Sequence, residues 1–225
     1  MDAVDNREFA AEYSKCGIDL LNTRGANFVK IVYSSVDEVV SCEINRLCAE
    51  EGVIPTCKAG CFHCCGQHIL TSITEAQALA HYIKYSFTQD QIEKLRLRTQ
   101  QWHEWDETRR SCSTLTDGQS DFSAYCYCPM LVKGECSAYS MRPLICRTHF
   151  VSSDSPACRP FQDPESINDN PVALASVLAA TSPFSIMIRE HIENAGLNFY
   201  GSLMLLPHWL AIEMDWDFAT TPQMK

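Results

Sequence analysis

Apolar residues recur at helical spacing over most of the chain. Val36, Val39, Val40, Ile44 and Leu47 form one stripe, which predicts a helix in the first 50 residues. Ser35 and Glu38 offer a capping box inside it, and Gly52 offers a stop. Cys42 and Cys48 fall on or beside this stripe and are expected in the core, because a buried thiol behaves as a small hydrophobe. A second helix should start at Ser72, with Glu75 completing a capping box and Ala76, Leu79, Ala80 and Ile83 forming a face. Thr88 and Gln91 cap a third, whose stripe is Ile92, Leu95, Trp102 and Trp105. The tryptophans read as core rather than as a ligand cage.

Later, Asn170-Pro171 predicts one helix start, and Ser182-Pro183 another, ending near Gly196. Residues 197–214 form the most apolar run, interrupted by Asn198, Pro207, His208 and Glu213. A membrane span needs about 20 clean apolar residues. The run therefore reads as a buried helix, broken or kinked at Pro207. Strand signals are few and short. The pattern lapses over residues 55–69, over the polar residues 111–123 with Asp117-Gly118, over residues 125–150, and in a polar stretch with Pro156, Pro160 and Pro164. The expected fold is mainly α: a single domain over residues 1–225, whose helices flank two irregular cysteine-rich, metal-binding loops within residues 55–150.

Composition narrows the function. The 225 residues are 46% hydrophobic and 20% charged, with a net charge of −10. Phosphate backbones repel such a surface, and basic patches are as short as Arg109-Arg110, so nucleic acid is not an expected partner. Nor is a membrane. There are thirteen cysteines, an odd number. The start, Met1-Asp2-Ala3-Val4-Asp5, lacks an export pattern, so a reducing, cytoplasmic setting is expected, where clustered thiols are metal ligands or redox groups.

Eight cysteines fall in two blocks. The first holds Cys57, Cys61, Cys64 and Cys65, with Gly60 and Gly66 available for tight turns. The short gaps let one loop wrap a metal at little closure cost. Adjacent side chains diverge, so Cys64 and Cys65 need not share one metal. The second block holds Cys126, Cys128, Cys136 and Cys146 and would complete the shell. Thiolates are soft donors that select zinc, copper(I) or iron–sulfur clusters. Four ligands fill a structural zinc site or a four-iron cluster, so eight thiols can fill two sites, or one with spares. Arg142 and Arg147 flank the second block, either to offset thiolate charge or as ordinary surface ion pairs. His63 and His149 are the histidines nearest the blocks, each a ligand or a neighbouring hydrogen-bond donor.

At these residues the chain resembles the YkgJ-type cysteine-cluster family, a zinc- or iron-chelating domain with the signature CxxCxxCC. The matching residues are Cys57, Cys61, Cys64-Cys65 and the run Cys128-Pro-Met-Leu, Gly134-Glu-Cys136-Ser-Ala-Tyr139, Arg142-Pro143-Leu-Ile-Cys146-Arg147. The resemblance spans residues 55–150. Three residues, not two, separate Cys57 from Cys61, and Cys126 lies outside the pattern. It implies metal chelation without fixing metal or reaction. A flagellin lysine-methylating enzyme carries a related cluster, which admits a methyltransferase-like role.

The expected ligands are therefore Cys57, Cys61, Cys64, Cys65, Cys128, Cys136 and Cys146, holding iron, as bound ions or a [4Fe-4S] cluster, in preference to zinc. More thiolates than one zinc needs, with basic flanks, suit an anionic cluster. Cys16, Cys42, Cys48, Cys112 and Cys158 are expected bystanders. Three alternatives stand beside this reading. Cys57, Cys61 and Cys64 have the spacing of radical S-adenosylmethionine enzymes, which would require a parallel sheet beginning near residue 66. Cys61 and Cys64 form a Cys-x-x-Cys pair like that of disulfide-exchange proteins. A structural zinc site in an adaptor is the third.

Overall fold

The computed structural model describes residues 27–58, 60–112, 126–153, 155–159 and 171–218. The architecture is mainly helical. Helix α1 (Asn27–Arg46) continues into a wider turn over Leu47–Glu51 and stops at Gly52, whose left-handed φ of 66° ends it as expected. Its buried stripe is Val29, Val32, Tyr33, Val36 and Val40. Ser35 lies inside this helix and not at a start. Cys42 and Cys48 are exposed, not core.

Strand β1 (Leu70–Thr71) leads into α2 (Ile73–Ser86), which opens with the expected Ser72–Glu75 capping box. Helix α3 (Gln89–Cys112) follows, its start held by Thr88 and Gln91, which exchange hydrogen bonds of 2.8 and 3.3 Å. Leu95 and Trp102 of its stripe are buried. A hairpin of β2 (Leu131–Val132) and β3 (Glu135–Cys136) precedes the short α4 (Leu144–Thr148). Helix α5 (Ala175–Asn194) is one continuous helix with Pro183 inside it. This corrects both starts expected from Pro171 and Pro183. Pro183 cannot donate to the Ala179 carbonyl, but the Ser182 hydroxyl does so at 2.9 Å. The helix can thus tolerate the proline.

The apolar run near the C-terminus is not one kinked helix. A short turn (Tyr200–Ser202) leads to β4 (Met204–Leu205) and then to α6 (Leu206–Glu213), with Pro207 in its first turn. Proline lacks a donor there at no cost, so it starts the helix instead of breaking it. Strand β4 pairs antiparallel with β1, Leu70 opposite Leu205 and Thr71 opposite Met204. Both sheets among the described residues are two-stranded and antiparallel. The parallel sheet required by the radical-enzyme alternative is absent from them. No described helix is long and apolar enough to cross a membrane.

Helices α1 and α5 pack together on one side, and α2 and α3 meet α6 on another. The core runs between them through Val36, Leu79, Ile83, Ile188, Ile192 and Trp209. Trp209 is fully buried, and its indole N–H donates to the Thr71 carbonyl at 3.1 Å. That bond and the β1–β4 pairing anchor the chain immediately after the first cysteine block.

Candidate functional site

The first block is irregular until a single turn of 3₁₀ helix at His63–Gly66, which carries Cys64 and Cys65. Gly60 adopts φ +82°, the turn freedom expected of it. At the loop entrance, Thr56 accepts no strand partner but bonds Val151: its N–H donates to that carbonyl at 3.0 Å, and its hydroxyl reaches Ser153 O at 2.5 Å. In the second block, Lys133 and Gly134 both have positive φ, 53° and 83°, the pattern of a tight two-residue hairpin turn. A side chain at Gly134 would meet the Phe62 ring at 3.6 Å, so the first block lies over this turn.

The blocks are joined directly. The Cys128 N–H donates to the Cys65 carbonyl at 2.8 Å. Six of the expected ligands, Cys61, Cys64, Cys65, Cys128, Cys136 and Cys146, line one cavity of about 580 Å³. The two segments, some sixty residues apart in sequence, are thus brought side by side. The cysteines of both blocks, with Cys42, Cys48 and Cys158, are free thiols.

Helices hold the blocks in place through polar contacts. Arg98 on α3 donates to the Pro129 carbonyl at 2.7 Å, behind Cys128. Glu75 on α2 accepts the Leu144 N–H at 2.8 Å, which fixes the start of α4 and so the position of Cys146. Arg147 is buried, pairs with Asp37 at 2.5 Å, and donates to the Arg142 carbonyl at 2.9 Å and to the Ser140 carbonyl. It stands over the Tyr33 ring at 4.1 Å. Arg147 is therefore neither of the two sequence readings alone. It is a buried clasp on the segment between Cys136 and Cys146. Arg142 instead lines the cavity, its guanidinium 3.8 Å from the centre of the Tyr139 ring.

Electrostatics mark the thiols as a cluster. Burial pushes the Cys128 thiol up to about 12, against a hydrogen bond from the Met130 backbone, with Cys136, Cys126 and Cys64 adding to the rise. Burial, then Cys128, Cys64 and Cys136, raises Cys146 well above the usual thiol range. Cys136 is raised by burial, opposed by the Ala138 backbone and by Arg142 and Arg147. Cys64 and Cys65 form a hydrogen-bonded pair: the bond from Cys65 draws Cys64 down to about 7 and holds Cys65 up. Thiols that are costly to ionise alone become good ligands where a cation offsets the charge. Backbone N–H groups facing Cys128 and Cys136 suit bound thiolates. The donor chemistry fits a soft metal. Among the described residues, however, no three Cys, His, Asp or Glu side chains are arranged to hold a metal ion as they stand.

Cys57 stands near Cys61 and Cys64 and is hydrogen-bonded by the Val151 backbone. Cys158, expected to be a bystander, joins this side. It is buried, and its thiol is pushed to about 11 by burial and by Cys57, Cys61 and Cys64. In the sequence it stands beside Pro156, a context like that of the candidate ligands near Gly or Pro. Cys126 lies near Cys128, with its thiol raised by burial. His149 lines the cavity, and its buried Nε2 has no hydrogen-bond partner among the described residues. His63 sits on the 3₁₀ turn against Phe62. Cys16, and the side chain of Cys112, lie outside the described residues. Comparison with known proteins finds no matching family model, no matching curated protein and no matching solved structure.

Proposed function

We propose that this protein binds a metal centre through its cysteine cluster, with iron, as bound ions or an iron–sulfur cluster, favoured over zinc. The observation that carries the reading is the convergence of six cysteines from two distant segments on one cavity. Cys128 and Cys136 also pack against the hydrophobic core, but core packing does not account for Cys61, Cys64, Cys65 and Cys146 joining them on one cavity. Cys65, Cys128, Cys136 and Cys146 would supply one set of ligands, and Cys57, Cys61 and Cys158 a neighbouring set, with Cys64 between them. A soft cation would supply the charge that lets these buried thiols ionise together.

Anaerobic purification with elemental and acid-labile sulfide analysis tests this. Iron with sulfide and a brown colour supports a cluster. Zinc alone, in stoichiometric amount, overturns the preference for iron. Protein that contains no metal and takes up neither ferrous iron nor zinc on reconstitution overturns the proposal.

A further inference from the structure

The cavity is larger than thiol coordination requires. At about 580 Å³ it falls in the range of small-molecule sites. Beyond the cysteines its walls are mainly apolar, with Phe62, Ile69, Leu79, Met130, Leu131 and Leu206 among them. Lys58, Gln67, His68, Glu135, Tyr139, Arg142 and His149 interrupt those walls, and two of them carry a buried atom without a partner among the described residues. Among the described residues, Arg142 has a buried Nε with no hydrogen-bond partner and takes part in none of the ion pairs. His149 has a buried Nε2 in the same condition. Burial lowers the His149 pKa, which favours the neutral ring. Buried polar atoms are nearly always bonded in folded proteins, and an exception calls for something that completes it. Here both exceptions line one mainly apolar cavity, and one of them is a cation fixed against Tyr139.

We infer that the cavity binds a small organic monocarboxylate with an apolar body, its carboxylate received by Arg142 and its body lying along the wall toward the cysteine cluster. A guanidinium presents a planar fork that matches a carboxylate. Lys58 and Glu135, also in the lining, carry opposite charges, so together with Arg142 these side chains leave one net positive charge, which a monoanion offsets and a dianion would exceed. In the tautomer that carries its proton on Nε2, His149 can donate to a carboxylate oxygen nearby. This inference rests on the metal-centre reading only in that the cluster forms one wall of the cavity.

The probe is decanoate, compared with decanol, titrated by calorimetry into the purified protein with its metal content measured in the same sample. Saturable decanoate binding at least tenfold tighter than decanol is expected. Arg142→Gln should remove that preference while leaving weak binding of decanol, and Arg142→Lys should restore part of it. Equal binding of decanoate and decanol to the wild-type protein overturns the inference, as does absence of decanoate binding. Both are read on the wild-type chain and do not depend on any variant folding. Undiminished decanoate preference in Arg142→Gln overturns it too, since the carboxylate would then bind elsewhere, for example on the metal. Metal content is a separate readout, so failure of the metal-centre reading and failure of the cavity reading are distinguishable.

Discussion

Glu75→Gln changes one atom's identity and almost no volume, yet it should cost this protein a large fraction of its stability. The Glu75 carboxylate is buried and receives five donors. Its Oε1 accepts the Tyr33 hydroxyl at 3.1 Å and the Leu144 N–H at 2.8 Å. Its Oε2 accepts the Ser72 N–H at 3.2 Å, the Ser72 hydroxyl at 2.8 Å and the Thr71 hydroxyl at 3.3 Å. A glutamine must place its NH₂ on one of these two sides. Hydroxyls can rotate and accept from it, but a backbone N–H cannot. In either orientation a backbone donor, at Leu144 or at Ser72, is left facing another donor. A hydrogen bond to a charged acceptor is worth about 1.5–3 kcal/mol, and a stranded buried N–H carries a similar penalty, so a net loss of about 2–4 kcal/mol follows. For a chain of this length that lowers Tm by about 5–15 °C. Urea unfolding followed by circular dichroism measures it, with an unchanged m-value showing that the loss lies in the folded state. Tyr33→Phe, which removes only one hydroxyl donor, should cost less. A Glu75→Gln loss below about 0.5 kcal/mol, within the range of an ordinary surface change, would refute the five-donor account.

Cys136→Ser, Cys146→Ser and Cys158→Ser should each lower bound metal, while exposed Cys42→Ser keeps the wild-type content; elemental analysis decides, and full retention in the first two would contradict the ligand assignment. Asp106 is pushed up by burial, but hydrogen bonds from His208, Arg109 and Arg110 outweigh this and hold it well below the usual carboxylate range. Its stabilising effect is therefore full above the unfolded value near about 4 and is lost as pH falls toward the folded value, so Tm measured against pH should fall less steeply in acid for Asp106→Asn than for wild type. Ser182→Ala should destabilise by no more than about 0.5 kcal/mol, because the Ser182–Ala179 bond is exposed and water can take the hydroxyl's place at the Ala179 carbonyl; a loss above about 1 kcal/mol in urea unfolding would contradict this.

Helices were legible in the sequence where a cap and a stripe agreed. Ser72 with Glu75 and Thr88 with Gln91 both start helices where expected, and Gly52 stops one. Proline was the weaker guide, because its meaning depends on its surroundings. Pro207 begins α6, whereas Pro183 sits within α5 because the neighbouring hydroxyl takes over its missing bond. Periodicity placed Cys42 and Cys48 near an apolar stripe, but which side of a helix acquires a neighbour is a tertiary fact. The pairing of the two blocks was inferred from ligand number, and six of the seven expected ligands share the cavity wall. What spacing could not show was the remote support. Glu75 read as a capping residue, which it is, yet the same carboxylate also holds the start of α4. Arg147 read as a flank of the cysteines, yet its partners are Asp37 and two carbonyls. One carboxylate serving both a local cap and a contact 69 residues away leaves only its local half visible in the chain.

The apolar core and the cysteine segments are held by different forces. Helices α1, α2, α5 and α6 meet through aliphatic and aromatic side chains, an attraction that is non-directional and tolerates small shifts. The cysteine segments are irregular, and irregular backbone near the interior must find polar partners. They find them one at a time: Thr56 on Val151 and Ser153, Cys128 on Cys65, Arg98 on Pro129, Arg147 on Ser140 and Arg142, Leu144 on Glu75. Hydrogen bonds are directional, so these ties set where each sulfur points, which burial alone could not do. The same division makes geometry at the thiols sensitive to single polar substitutions on distant helices. A change at Glu75 or Arg98 touches no sulfur, yet it moves the backbone that carries Cys146 or Cys128.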